Sequence, residues 1–557
     1  GRNDDLNFQS SRFVVGVRGE LVDDWTYDLS ATRSRVALAR TYFNDFSVTR
    51  LGRALNVVDV GGVPTCQSVV DGTDPACVPW DIFHLNGVTP AALNYLQIPL
   101  VQRGETIQQD VIGTVAGTLP LKSPGASSGL AAVFGVEYRR DELTSIVDAS
   151  FQSGDGAGQG GPTLPLSGHT DVFELFTEVR LPLLEDQTFA KLLSVDAAYR
   201  YSDYNSGTTT ETYKFGGEWA PVEDIRFRGS FQHAVRAPNI IELFASQGGG
   251  LFNLGFDPCD NVNNGADPVP AQCIGANTWQ VTTTQSNAGT LNNPAGQYNG
   301  LFGGNPNLEP EDADTTTLGV VFTPDFVPGL NISVDYFKIE VNNLISATGS
   351  GVLADCYNNN NLAACATIIR NPTNGRLFGG NANYRVLALN TNLGGLTTSG
   401  YDINAGYRFD VGQFGSVALQ MTGTLLEELV TDEGGSRKPY DCAGMWSGDA
   451  NCGIPNPEWR HRFRATWETP MDVELSLTWR YFGEVTREQN VAGQGGFASS
   501  TTPVANQLGT VLDAMNYYDI AGSWQPRDNI NIRFGINNIL DQDPPLSTGT
   551  HVGAGFG

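Results

Sequence analysis

Eight cysteines are the residues of this chain best placed to do chemistry, and they fall into four close pairs: Cys66/Cys77, Cys259/Cys273, Cys356/Cys365 and Cys442/Cys452. Paired thiols can bind metal, exchange electrons or crosslink. Thiolate zinc sites and redox sites favour Cys-x-x-Cys spacing or histidine partners. No Cys-x-x-Cys occurs here, and only five histidines are present. Free reactive thiols are unexpected on an exposed surface. Crosslinking within each pair is therefore expected, although eight cysteines allow other connectivities. Each bridge would close a loop of nine to fourteen residues, which is worth roughly 3 kcal/mol in chain entropy. Such bridges persist only in an oxidising compartment.

Other groups are weaker candidates. Asp257, Asp260, Asn261, Asn263, Asn264 and Asp267 surround Cys259 and offer the hard oxygens that Ca²⁺ takes. The closing glutamate of an EF-hand loop is missing, and Asn/Asp-rich turns form without metal, so no metal is expected. Trp80, Phe83, Phe252, Trp279, Phe302 and Trp446 can stack on a sugar face or a ligand ring, or pack the interiors of long loops. Packing is the commoner fate of any one of them, but a binding protein needs some at its ligand. Arg226, Arg228, Arg462, Arg464 and Arg480 lie on the polar side of alternating segments, where they line a path or pair with carboxylates of the wall. No nucleophile–base pair, phosphate loop or zinc motif is visible. Among sixty Asp and Glu, pairs such as Glu309/Glu311 and Glu427/Glu428 carry no catalytic weight. Neither enzymatic activity nor a cofactor is expected.

The elements that position these residues follow from periodicity. In Ile225–Gln232 the apolar side chains take one face and the polar ones the other. Asp472–Tyr481 repeats this, with Val473, Leu475, Leu477, Trp479 and Tyr481 together, as do Arg12–Leu21 and Asn529–Ile536. Period two sends successive side chains to opposite faces of a sheet. The segments reach the ~9–11 residues that a bilayer-crossing strand needs. Sixteen such segments are joined alternately by short turns and long loops. The turns, near Val22–Asp24, Pro120–Ser128, Leu183–Thr188, Ala220–Asp224, Thr323–Pro328, Asp410–Gln413, Thr469–Asp472 and Gln525–Asp528, are rich in Pro, Gly and Asp. The loops are Ala37–Arg103, Thr144–His169, Ala237–Asp312, Asn342–Asn383, Glu428–Pro457 and Val485–Leu512, with a short one near Tyr204–Gly207. Every cysteine lies in a long loop. Tight turns on one rim and long excursions on the other are the mark of a membrane β-barrel, with its loop rim facing an oxidising exterior. Aromatic clusters at Tyr199, Tyr201 and Tyr204, Trp459 and Trp467, Trp479 and Tyr481, and Tyr517, Tyr518 and Trp524 fit interfacial girdles.

Composition agrees. Charged residues make up 17% and glycines number 65, against about a quarter charged in ordinary soluble domains. No run of eighteen apolar residues suggests a transmembrane helix, and alternating strands escape such a scan. A formal charge of −27 makes nucleic acid an improbable partner, because phosphate binding relies on basic surface.

Four segments resemble the TonB-dependent receptor family: Phe231–Phe244 (FQHAVRAPNIIELF), Gly304–Gly319 (GNPNLEPEDADTTTLG), Asn392–Phe409 (NLGGLTTSGYDINAGYRF) and Gly535–Pro545 (GINNILDQDPP). Each pattern is weak alone; their order and their places at strand–loop junctions make the set specific. The resemblance implies an all-β, transmembrane antiparallel barrel of 22 strands around an N-terminal plug, about sixteen of them here, with long extracellular loops and short periplasmic turns. Residues 1–557 read as a partial barrel domain, with the plug, the first strands and the final strand expected outside it. Arg236-Ala-Pro-Asn239 and Asn305–Glu311 are read as structural corners.

The resemblance further implies a receptor in the outer membrane of a Gram-negative bacterium. It would contact outer-membrane lipid, bind a scarce small nutrient and import it with energy from a TonB-type protein reached through the N-terminal region. The alternatives are a passive porin and a surface adhesin. Oligosaccharides and ferric siderophores are the two substrate classes in view, and the acidic charge tilts the reading toward an uncharged, carbohydrate-like nutrient.

Overall fold

Alternation becomes one antiparallel sheet of sixteen strands in the computed structural model. It describes residues 1–545 apart from 23, 86, 160, 255, 263–268, 348, 359, 380–382, 433–440, 447–451 and 488–510. We number the wall strands β1 (Asn3–Val22), β2 (Trp25–Phe46), β3 (Gln97–Leu119), β4 (Leu130–Val147), β5 (Leu166–Gln187), β6 (Ala190–Tyr204), β7 (Thr209–Val222) and β8 (Ile225–Arg236). The second half comprises β9 (Glu311–Phe322), β10 (Leu330–Asn342), β11 (Gly395–Asp410), β12 (Ser416–Asp432), β13 (Trp459–Glu468), β14 (Val473–Phe482), β15 (Met515–Arg527) and β16 (Ile530–Ile536). Each pairs with its neighbours in chain order, without crossover. Short connections and long loops alternate as expected.

Register carries one apolar face across the whole sheet. Val17 faces Leu29, Val111 faces Tyr138 and Tyr138 faces Phe173. The same face continues through Leu175/Tyr201, Tyr199/Tyr213 and Phe215/Phe231. It then runs through Leu318/Tyr336, Tyr336/Tyr401, Leu425/Trp459, Phe463/Trp479 and Ile520/Ile536. Its side chains are open, Phe13 at 71% for example. An uncovered apolar band of this extent is the outer surface of a membrane barrel.

The other face is polar and charged, and its arginines reach across strands. Arg228 spans Gly319 to meet Asp335 at 2.6 Å. A Cβ at Gly319 would sit 1.9 Å from the Asp335 carboxylate, so glycine is what keeps that crossing open. Arg480 grips Asp519 at 2.9 and 3.0 Å. Arg180 and Arg226 share Glu218, each at 2.8 Å.

Aromatics gather where the apolar band meets the loop rim. Tyr213 stacks on His233 at 5.1 Å, Tyr336 lies 5.4 Å from Tyr401, and His461 stacks on Tyr481 at 5.2 Å. At the turn rim, Trp219 and Trp467 donate their indole N–H to the carbonyls of Phe189 and Phe414. Two residues expected in the girdles belong elsewhere. Tyr204 pairs with Val172 and Tyr517 with Arg480, so both point to the polar face. An odd residue offset separates each from its aromatic neighbours, and period two then decides the side.

Loop limits also differ. The loop expected over Ala37–Arg103 spans only 47–96, because β2 and β3 keep pairing above the apolar band. There both faces are polar, so alternation fades while the ladder continues. Arg35–Glu105 and Arg40–Asp4 hold that extension, both at 2.7 Å. Thr144–His169 likewise shrinks to 148–165, whereas Asn342–Asn383 lengthens to 343–394.

Candidate functional site

The long loops are not loose. Loops 237–310 and 343–394 join into one module around a four-stranded sheet of Gly248–Asn253, Gln297–Phe302, Arg385–Leu387 and Ile368–Ile369. Phe252, Leu291, Tyr298, Leu353, Tyr357 and Leu377 form its core beside the Cys259–Cys273 and Cys356–Cys365 disulfides. Arg370, 1% exposed, lies inside it and donates to Asp257, 0% exposed, at 2.7 and 2.8 Å. It also donates to the Gly375 and Trp279 carbonyls and to the Tyr357 hydroxyl. Burial opposes the guanidinium charge, but Asp257 beside it holds the proton well above the usual range.

Loop 47–96 forms a second module. Helices Val48–Leu55 and Pro90–Leu96 pack with Cys66–Cys77 around Ala54, Tyr95 and Leu96. Ser47 and Thr89 cap the two helices through backbone amides, which is why each helix starts where it does. Loop 148–165 docks against this module through carboxylates. Asp155 accepts from the Ser47 hydroxyl at 2.5 Å and the Thr49 amide at 2.8 Å. Buried Asp45 accepts from the Gly158 amide.

A third module joins the described parts of 433–458 and 483–514. Met445–Trp446 pairs with Thr486–Arg487, and Val485–Thr486 with Val511–Leu512. Arg487 lies over the Trp446 ring at 5.7 Å. The Cys442–Cys452 disulfide closes the first of the two loops.

Three of the motif segments meet at one corner of the rim. Arg236, at the end of β8, clamps Glu311 at 2.5 and 2.6 Å and Glu242 at 3.0 and 3.1 Å. Asn239 and Glu242 form a capping box on helix Ile240–Phe244. The Asn305 amide donates to the Glu242 carbonyl, and Asn392 exchanges two hydrogen bonds with the Glu309 backbone. The fourth motif is tied on by the Asn538 amide, which donates to Asp519.

The aromatic candidates divide by burial. Phe83 stands 89% exposed on the tip of loop 47–96, held by Asp81, which accepts from its amide. Trp80 packs against Phe46, and Trp279 and Phe302 pack against the large loop core. Phe252 and Trp446, at 8% and 2% exposure, are module interiors. The hydrophobic gain of closing each loop core uses their faces, which leaves none for a ligand.

The oxygen-rich turn is likewise committed to protein. Asp257 faces Arg370, Asp260 accepts from the amides of Val262, Leu291 and Asn292, and Asn261 bonds Asn287. Asn263, Asn264 and Asp267 lie outside the described residues.

All five arginines singled out lie on the polar face. Arg226, Arg228 and Arg480 hold the carboxylates described above. Arg464 makes a long contact of 3.5 Å to Glu474 and a hydrogen bond of 3.1 Å to Ser476. Arg462 forms no ion pair with any described residue. Sequence reasoning missed Arg460, although the same Arg-x-Arg-x-Arg alternation on β13 places it beside Arg462. It also missed Arg370, whose partner lies 113 residues away.

Residues 1–539 match the family described as TonB dependent receptor-like, beta-barrel. Among solved structures, the ferric enterobactin receptor PfeA of Pseudomonas aeruginosa, as a variant in complex with enterobactin, aligns with a TM-score of 0.51 at 12% identity, covering 96% of this chain and 66% of that one. The siderophore receptor PirA of P. aeruginosa gives 0.45 at 11% identity over 97% and 69%. The ferric-catecholate import receptor Fiu of E. coli gives 0.49 at 12% over 97% and 61%. The chain thus spans between three fifths and seven tenths of these proteins. No curated protein matches it. A continuous apolar band, a polar inner face, stapled loops on one rim and the family match over 1–539 together place this chain in the TonB-dependent receptor β-barrel family of the outer membrane.

Proposed function

We propose that this barrel belongs to an active importer, which binds a scarce nutrient among its extracellular loops and passes it inward with energy from a TonB-type protein. The observation that carries this reading is the loop architecture. Three modules, each with its own small core and at least one disulfide, build a rigid receiving surface. A passive channel gains nothing from such a surface, because it has no binding step. The solved relatives named above bind or import siderophores, which supports a ferric siderophore as substrate; an oligosaccharide is the other class the reading admits. Its role is binding and transport, without catalysis.

The test has two arms. Deleting the gene, or collapsing the proton-motive force, should abolish uptake of the nutrient whose scarcity induces the receptor; uptake that survives uncoupling would sink the importer reading. Induction by iron starvation would assign a siderophore, and induction by a sugar would assign a carbohydrate.

A further inference from the structure

Strand β13 reads Trp-Arg-His-Arg-Phe-Arg, and its alternation sends Trp459, His461 and Phe463 to the apolar face and Arg460, Arg462 and Arg464 to the lumen. Same-face residues on a strand stand about 6.8 Å apart, so the three arginines span roughly 14 Å of wall. Arg480 of β14 lies directly opposite Arg462, which makes four guanidiniums in one patch. Like charges directly opposite on neighbouring strands repel. Elsewhere on the wall such cations are neutralised, as Arg228 is by Asp335 and Arg236 by Glu311 and Glu242. Here Arg480 takes Asp519, Arg464 is only loosely held by Glu474 and leaves its buried Nε without a partner, and Arg460 and Arg462 make no hydrogen bond or ion pair with any described residue. Both are exposed to the lumen. The patch therefore keeps uncompensated positive charge inside a chain of net charge −27.

Height on the wall says what it faces. Arg460 and Arg462 flank His461, whose ring stacks in the loop-side aromatic girdle with Tyr481. They sit at the mouth of the lumen, just under the loop modules, where an entering solute passes.

We propose that Arg460, Arg462 and Arg480, with Arg464 below them, form an anion-binding strip on the lumen wall, which takes a small solute bearing two or more anionic oxygen groups such as carboxylates. Guanidinium forks match carboxylates two bonds at a time. In an acidic receptor a local basic strip supplies the attraction that the outer surface lacks. This deepens the import reading and rests on it for the identity of the solute as cargo. It also overrides the inference of an uncharged nutrient from whole-chain charge.

The test uses the full-length receptor purified in detergent, with citrate as the polyanionic probe and maltotriose as the uncharged comparison, read by isothermal titration calorimetry. Citrate binding is expected to weaken about tenfold between low and moderate salt. Arg460→Gln/Arg462→Gln should weaken it a further ~10-fold or more, as loss of two charge-assisted contacts implies, while Arg460→Lys/Arg462→Lys retains most of it. Both positions are exposed and unpaired among the described residues, so the folded fraction, checked by heat-modifiable gel mobility, should not change. Absence of citrate binding at low salt, or equal binding by wild type and the Gln pair, would overturn the proposal. Unchanged citrate affinity with a lowered unfolding temperature in the Gln pair would overturn it too, assigning the strip to contact with protein carboxylates. A receptor that binds citrate through the strip but imports nothing would refute the import reading alone.

Discussion

Replacing Arg370 with alanine tests whether the two largest loops are one folded body. The side chain is 1% exposed and its partner Asp257 is 0% exposed, so the substitution strands a carboxylate where water does not reach. Breaking a buried pair by removing one partner costs about 3–5 kcal/mol. The losses around it argue for the upper part of that range, because the Gly375 and Trp279 carbonyls each lose a donor. At about 1.4 kcal/mol per factor of ten, the open form of the module gains roughly a hundredfold to a few thousandfold in population. Hydrogen exchange read by mass spectrometry can see this locally. Amides of Gly248–Asn253, Gln297–Phe302 and Ile368–Ile369 should lose protection together, while those of β8 to β11 keep theirs. The double change Asp257→Leu/Arg370→Met should recover most of the protection, since it leaves no unpaired buried charge. Wild-type exchange in Arg370→Ala, or a double variant no better than the single, would refute the claim that this pair holds the loops together.

Further outcomes follow from other contacts. Burial works against the Asp155 charge, but hydrogen bonds from Ser47 and Thr49 outweigh it and hold its carboxyl below the usual range. A depressed folded value means stability that is complete above the unfolded pKa of about 3.9 and is lost as pH falls through the folded one. Protease cleavage within 148–165 should therefore rise as pH drops below about 4, and Asp155→Asn should abolish that pH step; an identical step in the variant would count against it. A Cβ at Gly135 would lie 2.0 Å from the Phe176 ring, so Gly135→Leu should cost about 1–3 kcal/mol by overpacking and lower the temperature of heat-modifiable mobility; an unchanged transition would contradict the register of β4 and β5. Cys356→Ser/Cys365→Ser should destabilise the large loop module by roughly 3 kcal/mol without loosening the wall, with nonreducing peptide mapping of the wild type showing the four intraloop bridges and no others.

Much of this was legible in the chain itself. Ile225–Gln232 and Val473–Tyr481 alternate because one face of a barrel wall meets hydrocarbon and the other meets the lumen, and that pattern is written in consecutive residues. The turns are legible for the same reason: Pro324, Gly329 and Gly415 set local backbone geometry, with Gly329 and Gly415 at φ of 87° and 93°. The cysteines pair within their loops because nine to fourteen residues of separation keep the partners close in any compact arrangement. What fades is the part of the wall where both faces are polar. Arg33, Arg35 and Glu105 show no alternation of polarity, yet β2 and β3 stay hydrogen-bonded through them.

The interiors of the loop modules lay beyond local pattern. Asp257 and Asp260 offered the same oxygens to a cation as to a protein donor, and only the arrival of Arg370 from another loop and of the Leu291 and Asn292 amides decided between them. Trp446 and Phe252 looked free to stack on a ligand until distant strands closed over them. Sequence determined which residues share a face, because that depends on a backbone period of two; tertiary structure decided which charges are neutralised and which aromatics are spent, because those depend on partners that the chain brings together from far apart.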